Sequence, residues 1–572
     1  MKIDLLQDDN ATTLINDPDF IRSWETICKK CKYSTYFQQP FFVRTWFSCY
    51  SNVWTPVIVL SRRETGDLAA LWILAYSAAT KTLTHPGSHQ AEYQTWISLP
   101  GCDIPFVSAA WVEITQQLTF SSLKIKYHPS TALTEALHSS PDISGISLVR
   151  YHKRPILTLN LDEIEASFKK KSNKSRFNRL KRLGELNFRE IKTSEDLDAV
   201  LDQLIDFYDF RQGATNASTP FRSDPLKRGF LSTLLSDPEG GAHVTVTSLN
   251  GHPISAFWGG VSSSTVHLGM LIHSPFYAEH SPGKLHIMQL SKHLLENGIE
   301  TIDITPGGDP WKERFANTHD HVAEIELFRT RRSLHIANQR NNMEKLAKRC
   351  FTSFGVAPST IRTRLSRIKN ITPKTIANRL RNWVSIKREL RIYRCEKDLS
   401  LQASYHSEIQ LNSLQDLISF EPGERWQTYQ GFLRSALHRL ENGESAFTIS
   451  INGKLAASGW MVKNQSKAIL SEVDQTMDMP ESSASLYDFY TDPEFRGQGL
   501  YRKLISHMLK FVFDNEKTKY AYICVLADNT PSRHVIENTG FKHQSSFYFE
   551  RKFGKKRRWS DHRMQAAENH NA

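Results

Sequence analysis

Ser485-Leu-Tyr-Asp-Phe-Tyr-Thr-Asp-Pro-Glu-Phe-Arg-Gly-Gln-Gly-Leu-Tyr501 and the residues that follow it decide how this chain is read. In Ser485–Thr491, Leu486, Asp488 and Tyr490 alternate with Tyr487, Phe489 and Thr491, so a strand there presents aromatic or apolar residues on both faces. Asp492-Pro493 ends it. Gly497 and Gly499 then allow a close backbone approach and leave amide N–H groups free at a helix start, where they can hold a diphosphate. Leu500, Leu504, Met508 and Phe511 or Val512 form one stripe, with Arg502, Lys503, Lys510 and Asp514 outside it, so this helix packs on a sheet through one face. Tyr520–Leu526 reads as a buried strand. Asn529-Thr-Pro-Ser532 supplies an N-cap oxygen and a first-turn proline for a second helix, closed by Gly540-Phe541.

Working outward, 572 residues exceed one ordinary core and suggest three or four domains at roughly 150 residues each. A hydrophobic content of 40% with 11% aromatic residues describes a globular chain, neither disordered nor membranous. The amino terminus lacks the apolar core of a signal peptide, and the longest apolar stretch, around Leu68–Ala79, is too short to span a bilayer. A cytoplasmic protein is expected. Seven cysteines without framework spacing suit reduced thiols, and Cys28-Lys-Lys-Cys31 reads as a helix end. No metal site is read from the spacing.

The net charge of +12 is uneven, because Arg329–Lys397 holds nineteen Lys/Arg against three acids. This connector, broken at Pro358 and Pro373, reads as a solvated basic helical linker. It lacks interleaved aromatics, so nucleic acid is not the expected partner, while peripheral contact with an anionic membrane stays open.

Three strand–turn–strand pairs recur. They are Pro56–Arg62 with Leu68–Ala75, Ala242–Leu249 with Pro253–Val261 around Asn250-Gly251, and Ala446–Ile451 with Lys454–Val462 around Asn452-Gly453. Three similar lobes are expected. After the second pair come a strand near Val266–Ile272, a helix with Ser281 as N-cap and Pro282 at its first position, a helix end at Gly298 and a strand Glu300–Thr305 leading to Gly307-Gly308-Asp309. Lys169–Arg182 carries eight basic side chains and no acid, either as a solvated helix face or as a rim that concentrates anions.

Arg496-Gly-Gln-Gly499 after Asp492-Pro493, with Asn529-x-x-Ser532 and Gly540-Phe541, resembles the Gcn5-related N-acetyltransferases (GNAT). The resemblance implies an α/β (α+β) fold of tandem GNAT-like lobes: residues 1–150, residues 151–335 and, after a linker at 336–390, residues 391–556, with a disordered tail at 557–572 that takes in part of Lys555–Arg558. It implies acetyl-CoA or another acyl-CoA as co-substrate, held by Tyr490, Thr491, Arg496, Gly497, Gln498, Gly499, Leu500, Tyr501 and Asn529, with no metal. Two departures stand out. Tyr501 replaces the small residue that usually ends the glycine loop, and Ile536 stands where many members carry the tyrosine that protonates the leaving thiolate. Glu472, Asp474 and Asp488, expected on two adjacent strands, are candidate bases, and Ser532 is a candidate hydroxyl donor to the thiolate or simply a capping residue.

Ser281-Pro282-Gly283, Asp303, Gly307-Gly308-Asp309 and Trp311-Lys312, with the basic helix from Phe168 to Arg182, resemble the CelD/BcsL-type acetyltransferases of bacterial cellulose and exopolysaccharide synthesis, relatives of paired FemAB-like lobes. That resemblance implies transfer to a small amine or a sugar hydroxyl and partners in polysaccharide synthesis. Asp303 either orients substrate or caps the following turn, Asp309 lies in the glycine loop, and Lys312 reaches either a phosphate or carboxylate or a surface partner. Two other readings are a FemAB-like transferase that uses aminoacyl-tRNA and a non-catalytic scaffold.

Overall fold

The computed structural model describes residues 2–237, 240–339, 385–397, 404–424, 427–514 and 517–561. The expected basic linker falls largely on 340–384 and the expected tail on 562–572, outside the described residues. Lys555–Arg558, expected to be a solvated tail, instead begins a strand, because Lys555–Ser560 pairs with the strand before it while its side chains stay largely exposed. Ser385 onward, expected to be linker, likewise begins a strand of the last sheet.

Two compact units are present. In the first, β1 (Asp4–Gln7), β2 (Thr55–Arg62), β3 (Leu68–Ser77), β4 (Thr82–Thr84) and β5 (Ile97–Ser98) form a five-stranded sheet. β6 (Ser122–His128), β7 (Ser147–Thr158), β8 (Leu186–Ile191), β9 (Ala242–Leu249), β10 (His252–Ser262), β11 (Thr265–His273), β12 (Thr301–Asp303) and β13 (Thr318–Phe328) form an eight-stranded sheet in the order 6-13-7-12-11-10-9-8. The expected lobe boundary at 150/151 lies inside β7. One core joins the two sheets, with Val59, Trp72, Leu123, Ile125 and Ile325 all buried in it.

The second unit holds β14 (Ser385–Glu396), β15 (Gln410–Leu411), β16 (Ser445–Ile451), β17 (Lys454–Lys463), β20 (Ser483–Thr491), β21 (Tyr520–Leu526), β22 (Lys542–Lys552) and β23 (Lys555–Ser560), in the order 15-16-17-20-21-14-22-23. A separate hairpin of β18 (Lys467–Leu470) and β19 (Gln475–Asp478) completes it.

Local chemistry explains the shared pattern. Asn250-Gly251 and Asn452-Gly453 both adopt positive φ, at 51° and 81° and at 52° and 75°, as a two-residue hairpin matched to strand twist requires. Each eight-stranded sheet contains one parallel pair, β11–β12 and β20–β21, connected by the helices Pro282–Glu296 and Leu500–Phe513. A parallel pair needs such a crossover. In both sheets the first strand of that pair carries one extra residue against its other neighbour, at Gly269 in β11 and at Asp488-Phe489 in β20.

The helix Leu500–Phe513 buries Leu500, Leu504, Met508 and Val512 against the sheet, as its stripe predicts. Leu504 is fully enclosed, so Leu504→Ala is expected to cost about 2–5 kcal/mol. The check is the urea midpoint of the second unit's transition, and an unchanged midpoint would contradict this packing.

Candidate acyl-carrier site

The site begins where two strands part. β20 and β21 are paired only at Ser483–Tyr520, Ala484–Ala521 and Ser485–Tyr522, yet β20 continues to Thr491 and β21 to Leu526. The sequence alternation expected along β20 breaks at Asp488, which has φ of +47°. Tyr490 is registered with Ser458 and Tyr487 with Trp460, so two residues of β20 stand against Gly459 alone. Gly459 is needed there, because a Cβ would meet the Phe489 ring at 2.7 Å.

The bulge turns Asp488 toward solvent, where its carboxylate pairs with Arg439 at 2.5 Å. The Arg439 guanidinium also lies over the rings of Trp460 and Tyr487, at 5.0 and 5.2 Å. Arg439 comes from the helix Tyr429–Glu441, and no spacing in the sequence connects it to β20.

Past β20 the chain is pinned by Asp492. Its buried carboxylate accepts from the Glu494 amide at 2.9 Å and from the Tyr490 hydroxyl at 3.1 Å, and it pairs with Lys454 at 3.3 Å. Burial by itself raises this carboxyl, but these bonds and the lysine charge outweigh it and hold it below the usual range. Tyr490 is therefore committed to the turn. Arg496 donates to the Thr491 carbonyl at 3.3 Å and to Glu424 at 3.2 Å, which closes the loop.

Gly497 and Gly499 take φ of +82° and +75°, and a Cβ at either would meet nothing within 4 Å. Gly497, Gln498 and Gly499 are exposed, and Gly499 is the N-cap of the helix that starts at Leu500. The first-turn amides of a helix lack intrahelical acceptors and sit at its positive end. Here no side chain caps the helix start, and the glycine turn before it is exposed beside the parted strands, a geometry suited to a diphosphate.

Tyr501, in the first turn, packs edge-on against Phe489 of β20 at 4.9 Å, and its hydroxyl is 3.0 Å from the Ser532 hydroxyl. Burial pushes the Tyr501 phenol up to about 12, with Ser532 opposing. Ser532 is not the cap of its helix. Asn529 is, accepting from the Ser532 amide at 3.3 Å. Ile536 is fully buried in the core and carries no proton.

Glu472 and Asp474 do not lie on strands adjacent to the parting. They sit in the turn of the β18–β19 hairpin, where Asp474 adopts a positive φ. The Asp474 carboxylate is tied to Arg558 and to Lys556 of β23, which hold it below its usual range. Glu472 is exposed and accepts from Ser471 at 3.0 Å. Burial first and the Glu472 charge second push the Cys524 thiol of β21 up to about 12.

The first unit has its own polar centre at the equivalent parting. β11 and β12 are paired only through His267–Asp303, and at that last pair the buried Asp303 carboxylate is 3.2 Å from His267 Nδ1. It also accepts from Arg154 at 3.2 Å and from the Thr305 amide at 2.9 Å. Asp303 thus caps the turn while holding Arg154 and His267. Tyr93 packs on the His267 ring at 5.4 Å and lines a pocket with Trp24, Phe37, Gln38 and His85. Lys312 reaches no surface partner. Its ammonium is buried on the Thr305 carbonyl and hydroxyl and the Pro306 carbonyl, at 3.0–3.2 Å, and burial lowers its pKa. Asp309 is exposed and holds the N-cap position of the helix that follows, without a side-chain bond. Ser281 holds the N-cap position of Pro282–Glu296, but with φ of +54° and without a side-chain bond. Near this helix start burial lowers the Lys284 ammonium, with the charges of Arg176, Lys170 and Arg314 acting in the same direction.

Two segments of the chain match protein-family models. Residues 167–313 match the model of the acetyltransferase (GNAT) domain and residues 411–541 that of the acetyltransferase (GNAT) family. A comparison with curated proteins gives no significant match. Among solved structures the chain is similar to FemX (11% identity, 54% of this chain and 96% of that one, TM-score 0.38). It is similar also to L-PGS from Bacillus licheniformis (10%, 56% and 94%, 0.33) and to a tandem GNAT protein from the clavulanic acid biosynthesis pathway (11%, 57% and 98%, 0.34).

For Asp303, burial by itself raises the carboxyl, but the hydrogen bond and charge of His267 and the charge of Arg154 prevail and lower it. A carboxyl that titrates lower when folded stabilises the fold above its unfolded value of about 4, and that contribution fades as the pH falls further. Asp303→Asn is expected to cost about 3–5 kcal/mol near neutral pH and to flatten the acid loss of stability, read from urea midpoints at several pH values. A midpoint equal to that of the parent chain would contradict the network. Two segments of the chain match GNAT domain models, and each holds a parallel strand pair that parts beside a helix start, so the fold is one of GNAT-like lobes in tandem.

Proposed function

We propose that the lobe at 385–561 transfers an acyl group, acetyl in the simplest case, from acyl-CoA to a small amine or to a sugar hydroxyl of a polysaccharide precursor. The observation that carries this reading is the parting of β20 from β21 directly beside an exposed glycine turn and a helix start that no side chain caps. The diphosphate of the carrier rests on the amides of residues 497–501, and the pantetheine runs along β20, where unpaired backbone groups accept and donate in place of a neighbouring strand. Of the three carboxylates considered as bases, Asp488 alone lies on a parted strand, so it takes the acceptor's proton directly or through water once Arg439 yields. Backbone N–H groups in the gap stabilise the oxyanion.

The leaving thiolate needs a donor other than position 536. Tyr501 and Ser532 supply it. A phenol pushed up to about 12 remains protonated at neutral pH, so this pair gives the thiolate a hydrogen bond. The link to polysaccharide synthesis rests on the sequence resemblance.

Gly499→Trp, which would shield the open amides, is expected to weaken acetyl-CoA binding at least tenfold by calorimetry, and unchanged affinity would refute the placement. Tyr501→Phe is expected to lower kcat by about 10²-fold or more with little change in KM. A tRNA shift without acyl-CoA binding would favour the aminoacyl-tRNA reading instead.

A further inference from the structure

The first eight-stranded sheet and the helix that covers it carry histidines that the acyl-transfer reading leaves unused. Glu190 of β8 is registered against Thr245 of β9, so His243, two residues along, is its diagonal neighbour on the same face. The helix Pro282–Glu296 covers that face. His286 fixes it there, with Nε2 3.0 Å from the Thr245 hydroxyl and Nδ1 2.8 Å from the Thr247 hydroxyl. His293 lies seven residues further, two turns along the same stripe, and is thereby delivered to Glu190 and His243. Phe188 packs against both helix histidines, at 5.4 and 5.8 Å.

Glu190 Oε1 is 3.3 Å from His243 Nδ1, and Oε2 is 3.4 Å from His293 Nε2. Ligand atoms at about 2.0–2.1 Å from a tetrahedral zinc stand roughly 3.3–3.4 Å apart, the size of both separations, and a small turn of the Glu190 carboxylate would bring one oxygen to serve both imidazoles. One donor atom from each of the three residues lies within 4.8 Å of the others. Hydrogen bonding accounts for the contact of Glu190 with His243 but not for that with His293, whose Nε2 finds no hydrogen-bond partner, and the second nitrogen of the buried His243, Nε2, is unpartnered as well. His286 cannot join, since both its nitrogens are occupied.

We propose that Glu190, His243 and His293 form a zinc site that clasps the helix Pro282–Glu296 to the β8–β9 edge. Two imidazoles and one carboxylate are a donor set suited to Zn²⁺. Glu190 and His293 are each 26% exposed, so the ion can enter from solvent and keep water in its fourth position. Lys192, 3.5 Å from Glu190 and 75% exposed, is free to swing away as the ion arrives. Positions 190, 243 and 293 are far apart in the chain, which is why no ligand spacing announces the site.

The test uses the full chain, stripped with a chelator and titrated with Zn²⁺ alone by calorimetry, with the melting temperature followed in parallel. One equivalent is expected to bind and to raise the melting temperature by several degrees, and Glu190→Gln and His293→Ala should each weaken that binding at least tenfold. Co²⁺ in the unaltered chain should give the strong visible absorption of a four-coordinate ion, a readout independent of whether either variant folds. No saturable Zn²⁺ binding, equal binding by both folded variants, or a Co²⁺ spectrum typical only of six-coordination would overturn the proposal.

Discussion

Everything proposed for the second unit depends on a failure of pairing. β20 and β21 begin as neighbours and part after three residues, because the extra residue at Asp488 bends β20 while β21 continues alongside β14. Backbone donors and acceptors buried without partners are costly, so an opening of this kind persists where solvent or a ligand satisfies them. The helix that bridges the two strands begins at the same place, with no side-chain cap and with an exposed glycine turn before it. A strand gap and a positive helix end thus complement the two ends of a thioester carrier, an amide-bearing arm and a diphosphate.

The amino-terminal unit repeats the geometry with a different filling. At its parting the last paired residues are His267 and Asp303, and the carboxylate is saturated by His267, Arg154 and a backbone amide. Lys312 is likewise spent on three oxygens of the adjoining turn. These groups hold the loop in shape, and a buried ionic network whose members are all satisfied is expensive to break. Two lobes with one topology therefore differ in what their central polar groups are free to do.

Much of the fold was legible because it is encoded locally. The Asn-Gly hairpins, the amphipathic stripe from Leu500 and the apolar run Tyr520–Leu526 each follow from a few neighbouring residues, and they fall where expected. What escaped depends on register and on distant partners. Strict alternation along β20 gives no warning of a bulge that Gly459 on another strand permits. Arg439 reaches Asp488 from a separate helix, Glu472 and Asp474 leave for their own hairpin, and Lys312 looks like a surface cation until its carbonyl cage is seen. Tyr501 read as an awkward substitution in a glycine loop. Its hydroxyl partner, Ser532, stands thirty-one residues away on another helix and explains the choice of side chain.

The most direct test is amide hydrogen exchange across residues 495–503, with and without saturating acetyl-CoA. The account predicts fast exchange at Gly497–Tyr501 in the free protein and strong protection when the carrier is present, with little change along β16 and β17. Protection confined to other parts of the chain, or none at all at a concentration that supports turnover, would contradict it.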